Sequence, residues 1–230
     1  MLKNSPARIL LCGTFILTEL TLGILLQVLS GAAVTWCSYG AVLLAFLFAF
    51  FFFSKTPTYY FTVAALLFTV CADYFLVLKG AEQKLIAMLF FSATQLCYFG
   101  RIYLAEEKGK CRTVHGLLRV LVPLLTVLVT LLALGKGADG VAVVSMFYFA
   151  NLILNVIFAF ALGEKPPLLA IGLLLFAFCD VFVGLSLIEG YLPLAEGGLI
   201  YRLAHPGLNL AWVFYVPSQA LLALSLSKQN

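Results

Sequence analysis

The chain has 230 residues, of which 63% are hydrophobic and only 10% charged, with a formal charge of +4 and a mean hydropathy of +1.10. That composition places the whole chain in the membrane class and leaves no stretch for a soluble domain. It also argues against a nucleic-acid partner, because the small positive excess reads as a membrane-orientation signal.

A membrane-crossing helix needs about 20 mostly apolar residues. Eight such runs follow one another, at about 9–31, 34–54, 59–79, 84–104, 116–135, 140–162, 167–188 and 206–226. Their continuous apolar character predicts helices rather than the shorter alternating strands of a barrel. The expected fold is all-α: a polytopic membrane protein forming a single eight-helix domain over residues 1–230. With the N-terminus inside, ten Lys and Arg fall in inner segments (3, 8, 55, 101, 108, 110, 112, 119, 165 and 228) and four in outer ones (79, 84, 136 and 202). That bias predicts a multi-pass protein, of the cell membrane in a bacterium, with both termini cytoplasmic. The basic connector from Arg101 to Arg119 reads as a contact with lipid headgroups. Lys3 and Arg8 precede an apolar run too long for a secretory signal, so an uncleaved first span is expected. Cys12, Cys37, Cys71, Cys97, Cys111 and Cys179 lack paired spacing and are expected to be free, buried thiols.

In chain order, the first span carries Glu19, Gly23 and Gln27 at four-residue intervals, hence on one helical face. That face either lines a cavity or pairs with a neighbouring helix. The second span ends in Phe48-Ala49-Phe50 with Lys55 and Pro57 beyond it; the sixth ends in Phe158-Ala159-Phe160 with Lys165 and Pro167 in the same register. The third span then places Asp73 late in an apolar segment, and the seventh repeats this with Asp180. An aspartate at such depth costs about 2.5 to 3.5 kcal/mol on insertion scales, so it usually faces a protein interior and marks function. Phe91 to Leu96 in the fourth span resembles Tyr215 to Ala220 in the eighth. Three ordered matches suggest a duplication with halves of about 1–110 and 111–230. An even number of spans per half makes the copies parallel. Short matches of this kind also arise by chance in low-variety apolar sequence.

Helical spacing gathers further polar groups into stripes: Ser92, Gln95 and Tyr98; Tyr148, Asn151 and Asn155; Trp212, Tyr215 and Gln219. Such stripes either line a shared site near the two aspartates or act as interhelical hydrogen-bond glue. His115 and His205 are isolated near span ends, so no metal or haem ligand set is expected. Gly23, Gly40, Gly172 and Gly184 read as close helix contacts.

The eight-span layout resembles the YhhN family of integral membrane proteins, which includes lysoplasmalogenases. The resemblance rests on the Leu-rich span ending in Asp73, on Gln95-Leu96-Cys97-Tyr98, on the span from Gly172 to Asp180, and on the closing Tyr215 to Gln219 segment. Both aspartates and the last glutamine match the family pattern, whereas Gln95 stands where members usually carry histidine. The resemblance implies hydrolysis of the vinyl ether of a lysoplasmalogen, a lysophospholipid substrate taken from the membrane lipid, without metal or cofactor. Asp73 and Asp180 would supply the acid and the stabilising anion. Gln95, Tyr215 and Gln219 would orient water or glycerol oxygens, with Glu19, Tyr98, Tyr148 and Asn151 as further substrate-binding candidates. Two other classes fit the same features: a proton-coupled transporter, and a lipid-binding protein without turnover. The scarcity of Pro and Gly breaks within spans argues against a carrier built on discontinuous helices.

Overall fold

The computed structural model describes residues 6–106, 110–191 and 194–227, and all regular structure among these is helical. Seven helices among them are long and apolar enough to cross a membrane. These are α1 (Pro6–Val28), α2 (Ala32–Phe52), α3 (Pro57–Asp73, with an extension), α4 (Lys84–Ala105), α5 (Lys110–Leu134), α6 (Gly140–Ala161) and α7 (Leu168–Leu187). A short α8 (Leu199–Ala204) precedes α9 (Leu210–Leu224), which is apolar but only 15 residues long. The chain is thus an all-α integral membrane protein.

Local chemistry sets several helix ends. The Tyr59 amide donates to Thr56 Oγ1 at 3.1 Å, with Pro57 in the first turn of α3. The Ala142 amide donates to Asp139 Oδ1 at 2.7 Å and opens α6 in the same way. Gly163, at φ 64, ends α6 in the left-handed conformation that glycine adopts without strain. Two boundaries differ from the sequence reading. α5 begins at Lys110 rather than 116 because its first turns find partners inside the protein, as described below. The last run opens later than 206, since Pro206 and Gly207 separate α8 from α9.

α3 departs from regular geometry directly after its aspartate: Tyr74–Leu78 form a π-helical turn, closed by the Lys79 amide donating to the Tyr74 carbonyl at 3.1 Å. Neither Pro nor Gly marks this change, which is why the sequence predicted an unbroken span. Such single π turns concentrate at functional sites. α9 carries Pro217 in its interior, and the missing N–H leaves the Val213 carbonyl without its helical donor, one turn before Pro217.

The helices pack α1 on α2, α2 on α3 and α3 on α4; further along, α5 packs on α6, α6 on α7 and α7 on α9. α2 also meets α9, and α4 meets α6. α1 and α9 run antiparallel over their whole length. Arg8 Nη2 donates to the Ser227 carbonyl at 3.1 Å, and at the other end the Asn209 amide donates to Gln27 Oε1 at 3.0 Å. The core draws Phe15 from α1, Leu66 from α3, Ile102 from α4, Leu152 from α6, Phe176 from α7 and Leu222 from α9. α5 instead exposes Leu117, Val120, Leu121, Leu124, Leu125 and Leu128, an apolar face suited to lipid rather than to protein.

The expected glycine contacts divide. A Cβ on Gly172 would lie 2.9 Å from Leu222 Cγ, so α7 and α9 approach closely there, and one on Gly23 would meet Val216 at an ordinary 3.8 Å. Gly40 and Gly184 have nothing within 4 Å and are not close contacts. The tight one that sequence did not single out is Gly100, whose Cβ would overlap the Phe61 ring. Among the described residues, Cys12, Cys37, Cys71, Cys97 and Cys179 are free, but only Cys179 is fully buried, because the others lie on helix faces that are partly open. The Cys111 side chain lies outside the described residues.

Candidate active site

Two carboxylates anchor the site, each held by a tyrosine from another helix. Asp73, the last residue of α3, is buried, and its Oδ2 accepts from the Tyr215 hydroxyl of α9 at 2.7 Å. Asp180 of α7 is half-buried, and its Oδ2 accepts from the Tyr148 hydroxyl of α6. The two pairs share one layer of the bundle. Phe176 of α7 packs 5.3 Å from the Tyr215 ring and 6.0 Å from Phe91 of α4, which in turn lies 5.7 Å from Tyr148. The buried Cys179 directly precedes Asp180 in α7.

A second polar assembly runs from one end of the bundle toward the middle. His115 Nε2 accepts from Arg119 Nε at 3.1 Å, so its Nδ1 carries the proton and donates to Glu106 Oε1 at 2.8 Å. The Arg119 guanidinium also donates to the Asn151 carbonyl at 2.9 Å and to Asn155 Oδ1. Arginine can only donate, so it fixes the orientation of the Asn155 amide. Asn155 Nδ2 then donates to Gln95 Oε1 at 2.9 Å and to the Gln95 carbonyl at 3.0 Å. Gln95 Nε2 is left as a donor without a protein partner. A cation two hydrogen bonds away thus decides which end of Gln95 is available.

These contacts correct two expectations. His115 is not isolated: it is buried, paired with Glu106 and Arg119, and stacked on Phe158 with ring centres 3.6 Å apart. Nor do Arg101 and Arg119 face headgroups, because both guanidinium groups find acceptors inside the bundle. Arg101 is 1% exposed and donates to Thr62 Oγ1 at 2.8 Å and to Ser225 Oγ at 2.6 Å. Residues 107–109 of that connector lie outside the described residues. One signal for this assembly was present in the sequence, since His115 and Arg119 stand four apart and share a helical face once α5 is allowed to begin early.

Of the remaining candidates, Tyr98, Gln219 and Glu19 are deeply buried and carry polar atoms without protein partners. Tyr98 presents its hydroxyl and Gln219 its Oε1, while Gln219 Nε2 donates to Ser218 Oγ at a long 3.5 Å. Glu19 is 2% exposed and neither carboxyl oxygen is paired. Glu19 stands one turn before Gly23, whose Cβ would meet Val216 of α9. Asn151 accepts from Arg119 at 3.4 Å through Oδ1 and donates to the Phe147 carbonyl at 2.9 Å, on the Arg119 side of α6. Buried polar groups are nearly always satisfied, and each one left over costs about 1–3 kcal/mol. Tyr98, Gln95, Gln219 and Glu19 are therefore the groups most available to a polar ligand. Among the described residues no group of three or more His, Cys, Asp or Glu gathers as a metal site.

Fold and site together define a polytopic helical membrane protein with a tyrosine-braced pair of carboxylates between its helices. The model of the YhhN family matches residues 34–226, and the chain belongs to that family. No curated protein and no solved structure matches the chain.

Proposed function

We propose that the protein hydrolyses the vinyl ether bond of a lysoplasmalogen, releasing a fatty aldehyde and a glycerophospho-ethanolamine or glycerophospho-choline. The observation that carries this reading is the pairing of Asp73 with Tyr215 and of Asp180 with Tyr148 in one layer of the bundle, in a chain of the YhhN family. The reaction needs an acid and an anion. One carboxyl gives its proton to the β-carbon of the alkenyl chain, and the double-bond electrons form that C–H bond, leaving an oxocarbenium ion. The other carboxylate stabilises this cation and takes a proton from the water that adds to it. The hemiacetal then expels the glycerol oxygen, which regains a proton, so one water is consumed in total. Tyr148 and Tyr215 hold the carboxylates in position. Gln95, Tyr98, Gln219 and Glu19 orient water or glycerol oxygens; Asn151 acts one step further out, through Arg119.

The same reading treats the bundle as eight spans in two parallel halves, with both termini cytoplasmic. α9 and its flanks support the eighth span, since the stretch from Asn209 to Ser227 runs beside α1 from Gln27 back to Arg8. That length is about 28 Å of helix, enough for a bilayer core. The recurrence of packing partners between α1–α4 and the group α5, α6, α7 and α9 supports the repeat.

The test is aldehyde release from a defined lysoplasmalogen by purified protein. The parent is expected to release aldehyde, and Asp73→Asn and Asp180→Asn each to lose roughly 10² to 10⁴ in rate. Folded Asn variants at both positions that retain near-parent rates would overturn the mechanism. A parent that forms no aldehyde but takes up solute into sealed vesicles would point to a carrier instead.

A further inference from the structure

At the end of the bundle nearest Asp73, a cleft of about 340 Å³ opens between the start of α2 and the π turn of α3. It is lined by Ala32, Thr35, Trp36, Tyr74, Leu78 and Lys79. The cleft adjoins the carboxylate layer. Tyr74 directly follows Asp73, and its ring packs edge-on to Tyr39 of α2 at 6.4 Å. Lys79 is the one charged residue of the lining. Its ammonium sits 5.5 Å from the centre of the Tyr74 ring, and among the described residues no carboxylate forms an ion pair with it. Trp36 is 65% exposed at the rim, as expected for an aromatic at the level of lipid headgroups.

We propose that this cleft is the phosphate seat of the site: Lys79 binds the phosphodiester of a lysophospholipid, Trp36 and Tyr74 flank its headgroup, and its glycerol end reaches toward Asp73. The inference rests on the vinyl ether reading for its choice of ligand. Charge and span both support it. A single cation without a competing carboxylate suits a monoanionic phosphodiester. Lys79 lies six residues beyond Asp73, past the π turn, an axial rise of at most about 9 Å. In a lysoplasmalogen, phosphorus and the alkenyl β-carbon are separated by seven covalent bonds, about 9 Å when extended. The lipid would thus sit with its headgroup at the mouth, its vinyl ether at the carboxylates and its chain deeper still.

The test measures binding of a saturated, uncleavable 1-O-alkyl lysophosphoethanolamine to the purified full chain in non-ionic detergent, beside a 1-O-alkylglycerol of equal chain length. Lys79→Met is expected to weaken the phosphate-bearing ligand at least tenfold and to leave the alkylglycerol unchanged, and Lys79→Arg to restore binding. Equal affinity of parent and Lys79→Met for the lysophospholipid would overturn the proposal, as would a parent that binds the alkylglycerol equally well. A diacyl phosphoethanolamine that competes as well as the lyso ligand would also overturn it, by marking the cleft as a general headgroup contact. Aldehyde release, read in parallel, separates the two proposals. Lys79-dependent binding by a parent that forms no aldehyde removes the hydrolase reading and keeps the seat; aldehyde release with Lys79-independent binding does the reverse.

Discussion

The Tyr215 hydroxyl donates to Asp73 Oδ2 at 2.7 Å, joining residues 142 positions apart at the junction of a π turn and a proline-bearing helix. α3 departs from regular geometry at the residue after Asp73, and α9 carries Pro217 two residues after Tyr215. Tyr148 braces Asp180 with the same chemistry from the other side of the layer.

Tyr215→Phe and Tyr148→Phe remove only a hydroxyl and keep the ring packing with Phe176 and Phe91. A hydrogen bond to a charged group contributes about 1.5–3 kcal/mol, so each variant is expected to lose roughly tenfold to a hundredfold in aldehyde release. Each variant also leaves a carboxylate oxygen without its donor, at about 1–3 kcal/mol, so a fall in unfolding midpoint is expected beside the rate loss, the larger for Tyr215→Phe because Asp73 is the more buried. Rates equal to the parent in both would show that the tyrosines do not position the carboxylates.

Combining Asp73→Asn with Asp180→Asn tests whether the pair acts as a unit. Residues that share one step are strongly non-additive. The double variant is expected to be no slower than the worse single variant by more than a few-fold. Multiplying losses would assign the two aspartates to independent steps.

Arg119→Met strands His115 Nε2 and Asn155 Oδ1, both of which accept from the guanidinium, and takes a second donor from the Asn151 carbonyl, which keeps its place in the α6 ladder. At roughly 1–3 kcal/mol for each acceptor left unsatisfied, a marked fall in unfolding midpoint is expected. Arg119→Lys should recover little of it, because one ammonium cannot reproduce the planar fork. A midpoint equal to the parent's for Arg119→Met would mean that these bonds do not hold the bundle.

Gly172→Ala and Gly184→Ala separate close packing from helix propensity. The first places a Cβ 2.9 Å from Leu222 Cγ and 3.2 Å from the Leu222 amide nitrogen, and overpacking of this kind costs about 1–3 kcal/mol. The second meets nothing within 4 Å and should stabilise α7 by up to about 1 kcal/mol. Opposite shifts in unfolding midpoint are the expected result.

Reporter fusions after Lys55 and Lys165 are expected to read as cytoplasmic, and fusions after Lys79 and Lys136 as lying across the membrane. A cytoplasmic signal after Lys79 would reverse the orientation drawn from the Lys and Arg bias.

Sequence alone carried the membrane class, the helical character and the approximate spans, because in a bilayer every backbone polar group must be satisfied within its own helix and the apolar run that results is legible residue by residue. It also isolated Asp73 and Asp180, since a carboxylate within an apolar span stands out against its neighbours. Only the tertiary structure decided their surroundings: that Tyr215 braces one and Tyr148 the other, that α3 widens after Asp73, and that Arg119 and His115 turn inward to orient Asn155 and Gln95. A basic residue at a helix end has the same local sequence whether it meets lipid phosphate or a buried amide. The choice between them depends on which helix packs against that face, a relation between distant segments that local pattern does not encode.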